Sequence, residues 1–183
     1  MSITKDVFFV IGKILIGIVF SSFFMYVNAL YSAGMGVARS MALRMDGKSR
    51  RRQITIYRRI GMILSGAGLC YALYSVRLFL GGITGVYSMN TALIIALYTF
   101  IEFGINIRGA IRLRKSRSLR AKALRAISFS ATLLCFALTQ TAILSFAAEG
   151  DNNFYNALSG MAFGVLAAIR GIFVILDSRR QDR

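Results

Sequence analysis

Glu102 stands inside a long apolar run. A carboxylate there either holds a cation or proton, or closes an ion pair. An ionisable group at membrane depth costs roughly 2.5 kcal/mol or more, so it needs a partner. On a helix, Thr91, Tyr98, Glu102 and Asn106 share one face and make a polar stripe. Two groups elsewhere in the chain can meet that stripe. Arg170 lies in the last apolar run at the depth of Arg108, about 9 Å of helical rise from the level of Glu102. Two long side chains span that gap, so a structural Glu102–Arg170 pair is expected. Gln140, within Thr139-Gln140-Thr141, sits near the middle of the fourth run. The candidate intramembrane polar site is therefore Glu102, Asn106, Arg170 and Gln140.

Other chemistries find little to work with. The chain has no His, the commonest general base and metal ligand, and only seven carboxylates, no two of which suggest a shared site. Cys70 and Cys135 lie within apolar runs, which indicates neither a disulfide framework nor a zinc site. Gly47-Lys48-Ser49 lacks the earlier glycine and the preceding strand of a phosphate-binding loop. No catalytic residue, metal site or cofactor is expected, and the chain reads as a non-enzyme.

The elements that position these residues follow from hydropathy. Mean hydropathy is +0.62. Hydrophobic residues make up 56% of the chain and charged residues 16%, against about 25% charged in a soluble domain. Five runs approach the roughly 20 apolar residues that a membrane helix needs: 7–30, 60–80, 89–111, 126–147 and 156–176. An all-α integral membrane protein of five transmembrane helices is expected, multi-pass in the cell membrane. Without Pro, any helix break must come from Gly. The first run continues at helical spacing through Met41, Leu43 and Met45, which predicts a long first helix ended by Asp46-Gly47. A separate amphipathic segment on the inner surface is the alternative.

Charge sets the expected orientation. Of 23 Lys and Arg, those at 39–59, 108–125 and 179–183 alternate with connections at 81–88 and 148–155 that carry none. Cytoplasmic loops accumulate Lys and Arg, so the expectation is N-terminus out and C-terminus in. Lys13 and Arg77 are then expected to snorkel to the outer surface. The net charge of +16 punctuates apolar runs instead of lining one soluble face, so no nucleic acid is expected as partner. Arg50, Arg51, Arg52, Arg58, Arg59, Arg114, Lys115 and Arg117 are the candidate contacts for lipid headgroups or an acidic partner.

The last four runs read as one helical hairpin written twice. Leu69-Cys70-Tyr71-Ala72-Leu73 parallels Leu134-Cys135-Phe136-Ala137-Leu138, and Ala92-Leu93 parallels Ala157-Leu158 at the same offset. Two parallel hairpins related about the membrane normal follow, with Cys70 over Cys135. The expected divisions are 1–49, the first helix and its cytoplasmic extension; 50–114, the first hairpin; and 115–183, the second hairpin and basic tail. Small residues at Gly61, Ser65, Gly68 and Ala72, and at Gly160, Gly164, Ala168 and Gly171, form strips where helices can touch, within the chain or in a homo-oligomer or larger membrane complex. The function expected is a non-catalytic membrane subunit or scaffold whose basic loops contact anionic lipid or an acidic partner. The alternative is a small transporter or channel with a polar path around Glu102, Asn106 and Gln140.

Overall fold

The computed structural model describes residues 3–19, 23–80, 89–147 and 153–182 of the chain. Among them are six helices: α1 (Ile3–Val19), α2 (Phe23–Leu43), α3 (Arg50–Phe79), α4 (Met89–Arg112), α5 (Leu119–Ala147) and α6 (Asn153–Asp182). No strand occurs among the described residues. Four of the helices, α3 to α6, are long and apolar enough to cross a membrane. Their outward faces keep large apolar side chains exposed, among them Leu73, Leu97, Phe100 and Phe173. Helix α3 runs for 30 residues, about 45 Å at 1.5 Å per residue. A hydrocarbon core of about 30 Å leaves its Arg-rich first turns outside. The expected connection at 81–88 lies outside the described residues, as does most of that at 148–155.

The expected first span corrects to two helices. Run 7–30 is not one element: α1 ends at Val19 and α2 begins at Phe23. The two pack antiparallel, with Asp6 meeting Arg39 and Lys13 meeting Ser32. The long first helix falls with this, and among the described residues four helices, against the expected five, have the length and hydropathy of a membrane span. Charge is the physical reason. On one continuous helix Lys13 and Arg39 would stand about 39 Å apart, each needing its own counterion. The fold-back gives Arg39 the Asp6 carboxylate and frees Lys13 for α4. It also moves the N-terminus. Ile3 lies beside Ser40 near the end of α2, and Arg50 at the start of α3 reaches Gln181 at the end of α6. The start of α1 and the end of α6 therefore lie at one end of the bundle, an arrangement that gives the expected N-out, C-in orientation no support. The expected stop is in place: α2 closes at Leu43 and the chain turns through Gly47, whose φ of 73° lies in the left-handed region that favours glycine.

Helix α5 is the centre. It is apolar on every side, packs against α2, α3, α4 and α6, and buries Ala123, Ile127, Leu134 and Leu138. Around it, α3 pairs with α6 and α4 with α5. The two small-residue strips face each other across the α3–α6 seam. A Cβ on Gly68 would lie 2.5 Å from the Ala168 nitrogen, and one on Gly164 would lie 2.7 Å from the Ala72 nitrogen. The Ser65 hydroxyl donates to the Ala168 carbonyl at 3.2 Å. Backbones this close gain van der Waals contact where lipid supplies no hydrophobic drive between helices. Cys70 is exposed on α3 and Cys135 is buried in α5, so their surroundings give the expected overlay no support.

All three basic segments gather at one end. There Arg120 pairs with Asp46, and Lys122 donates to Asp177 at 3.0 Å. Tyr57 donates to the same Asp177 oxygen at 3.2 Å, tying α3, α5 and α6 together.

The α3–α6 seam yields a stability prediction. Gly68→Ala forces backbone apart and should cost about 1–3 kcal/mol. Gly66→Ala, with nothing within 4 Å of the new Cβ, should leave stability unchanged or slightly raised. Thermal unfolding of the two purified variants in one detergent checks this; equal midpoints would mean the seam is not close-packed.

Candidate functional site

The polar stripe of α4 faces inward, as its membrane depth requires. Glu102 and Asn106 are buried, as is Thr99 beside them, while Thr91 and Tyr98 are partly exposed. Thr99 meets Thr139 of α5 at 2.9 Å, and the Tyr98 hydroxyl donates to the Phe9 carbonyl of α1 at 2.8 Å. The α1–α2 hairpin covers the rest of the stripe.

Four charged side chains meet in that covered space. Lys13, fully buried, donates through Nζ to Glu102 Oε2 at 2.8 Å and to Ser32 Oγ at 2.6 Å. Arg39, 1% exposed, donates through Nη1 to Asp6 Oδ1. Its Nη2 donates to Asn106 Oδ1 at 3.1 Å. Two anions face two cations in these ion pairs, and Lys5 lies close enough to act on Asp6, Arg39 and Glu102 as a further cation. Desolvating a charge costs several kcal/mol per ion, and only close, hydrogen-bonded partners offset it. Cys135, fully buried, lies beside Glu102. The space enclosed by Asp6, Ser32, Arg39, Glu102 and Asn106 is ≈ 10 Å³, at the lower limit for a single water.

The expected partner of Glu102 is thus corrected. Its cation is Lys13, not Arg170. Arg170 is partly exposed on α6 and lies towards Tyr57, near the basic end. Lys13 does not snorkel; it is buried in the bundle because Glu102 and Ser32 satisfy it there. Arg77 is exposed on α3. Gln140 is not brought to the site. It is partly exposed and directs its Nε2 to the Tyr155 carbonyl at 3.5 Å, a separation at which a hydrogen bond is weak. Of the four expected residues, Glu102 and Asn106 stand together, and Gln140 and Arg170 lie elsewhere.

Asp6, Lys13, Ser32 and Arg39 were missed by the sequence reading. A signal for them exists in the spacing. Asp6 and Lys13 are seven apart, and so are Ser32 and Arg39. Each pair therefore shares a helix face, and antiparallel packing sets the two pairs opposite each other. The basic candidates Arg50, Arg51, Arg52, Arg58, Arg59, Arg114, Lys115 and Arg117 are all exposed. Among the described residues, no group of His, Cys, Asp or Glu is placed to hold a metal.

Chemically, the buried cluster locks register. Breaking a buried pair from one side strands the other charge at a cost of about 3–5 kcal/mol, whereas replacing both partners with apolar groups is often neutral. Glu102→Gln or Lys13→Met alone should therefore lower thermal stability sharply. The double variant Lys13→Met/Glu102→Leu should recover most of the loss in a double-mutant cycle. Additive losses would show that the two residues act independently. Neither a protein-family model nor a curated protein matches this chain, so the reading of the site rests on its own geometry.

Proposed function

We propose that the protein is a non-catalytic, multi-pass membrane component that offers a basic surface to anionic lipid headgroups or an acidic partner. The observation that carries this reading is the gathering of the three basic segments at one end. Among the described residues of that end, only Arg120 and Lys122 pair with a carboxylate; Arg51, Arg58, Arg59, Arg108, Arg112 and Arg179 remain available to an outside anion. Lys and Arg retained on one side mark it as cytoplasmic. Both termini then face the cytoplasm, with the α1–α2 hairpin embedded beside α4. Exposed apolar residues on α1, such as Phe8, Leu15 and Ile18, fit that position.

Transport around Glu102 draws less support. A conducting carboxylate needs water or ion access, and Glu102 is instead met by Lys13 in a space no larger than one water.

Two measurements test the reading. Single-cysteine variants at Ile3 and Ser116, made with Cys70 and Cys135 replaced, should react with a membrane-impermeant maleimide only after the cells are permeabilised. Reaction of either from outside intact cells refutes the orientation. In reconstituted vesicles, wild type and Glu102→Gln should give the same background proton and cation leak. A flux in wild type above that of protein-free vesicles, absent from Glu102→Gln but kept in the Lys13→Met single variant of matched stability loss, would replace this proposal with a transporter.

A further inference from the structure

Helices α4 and α5 separate where they approach the basic end, and the turn between them closes the top of a cleft of ≈ 550 Å³. That volume suits a small-molecule or headgroup site. Its two parts differ in chemistry. Arg108, Arg112 and Arg120 supply the charged part, and Ile105, Leu113 and Leu124 supply the apolar part. Ser116 and Ser118 line it too. No Asp or Glu lines the cleft. Arg108 and Arg112 make no ion pair among the described residues, and Arg120, held by Asp46, leaves its Nε buried without a hydrogen-bond partner.

Such a site selects its occupant. Arginine presents planar donor forks that match phosphate oxygens in pairs, and three of them around one cleft favour a phosphate over a single carboxylate. The apolar half would be left wet by a free anion. It is continuous with the side of α4, where Ile101 and Ile105 are exposed, so an acyl chain has a path along the helix. A second cleft at this end, between α3 and α6, serves as the contrast. It holds Arg51, Arg58, Arg59 and Arg179, yet Asp182 lines it too and its walls are mainly polar.

We propose that the α4–α5 cleft binds one anionic phospholipid, its phosphate between Arg108, Arg112 and Arg120 and its acyl chain against Ile105 and Leu124. This deepens the reading of the basic end as a lipid-facing surface and rests on it.

The test uses the full chain, purified in a detergent with a neutral headgroup and titrated with phosphatidylglycerol or phosphatidylcholine. Bound lipid is read by native mass spectrometry. Wild type should retain one phosphatidylglycerol in preference to phosphatidylcholine. Arg108→Gln/Arg112→Gln should weaken that binding roughly 30-fold, from the usual contribution of each basic residue near an anionic surface. Arg58→Gln/Arg59→Gln, at the other cleft, should stay within about three-fold, because salt screens charges beyond the Debye length. Millimolar inorganic phosphate should not displace the lipid. Wild-type affinity in Arg108→Gln/Arg112→Gln, with phosphatidylglycerol still preferred, overturns this site and leaves the general lipid reading standing. No preference for phosphatidylglycerol in any variant overturns both. Full displacement by inorganic phosphate shows an anion site without a lipid and overturns the proposal. A photoactivatable phosphatidylglycerol on wild type gives a check independent of how the variants fold. Its label should fall within 105–124, and label confined to other segments overturns the assignment.

Discussion

Lys13 and Glu102 impose the constraint that the remaining packing obeys. Each is buried in a bundle whose outer surface is apolar, and neither can be left without a counter-charge there. Their 2.8 Å contact fixes where α1 lies against α4. Since α1 and α2 are joined after Val19, the same contact fixes α2. Arg39 then falls beside Asp6 and Asn106, and each carboxylate of the cluster has a cation against it. Pairing of this kind adds little net stability over apolar packing of equal volume. It does discriminate strongly against other registers, because any slip of α1 along α2 separates two ion pairs together.

The two principal helix interfaces use different physics. Along α3 and α6, glycine, alanine and serine let backbones come into contact, and the attraction is van der Waals packing over a long seam. Between α4 and α5, side chains occupy the interface and hydrogen bonds such as Thr99 with Thr139 contribute. The second interface tolerates polar groups, so the stripe of α4 is accommodated there and under the α1–α2 hairpin. At its glycine positions the first leaves no room for even one added carbon. Helix α5, shared by both halves of the bundle, is accordingly apolar on every side.

The proposed function rests on an asymmetry between two kinds of charge. Charges inside are paired, close and few. Those at the end are unbalanced, exposed and many, with two clefts formed where helix pairs open. Paired interior charge stabilises one arrangement; unbalanced surface charge attracts something from outside. A membrane leaflet rich in anionic headgroups supplies such a counterpart without any further protein.

Much of this was legible in the sequence because hydropathy and charge act locally. The four apolar runs at 60–80, 89–111, 126–147 and 156–176 correspond to α3–α6, which extend past them mainly at the basic end. The stripe with Glu102 and Asn106 and the two small-residue strips follow from helical spacing alone; that the stripe faces inward and the strips face each other is decided by the tertiary structure. The hairpin at the start of the chain was not legible. The sequence between α1 and α2 holds no Pro or Gly, and an unbroken apolar run is equally consistent with one helix. The partner of Glu102 was hidden for the same reason: Arg170 and Lys13 are both cations in apolar sequence. Only the three-dimensional path decides which one reaches the carboxylate, because a buried charge is satisfied by proximity in space, and sequence spacing records proximity only along a single helix.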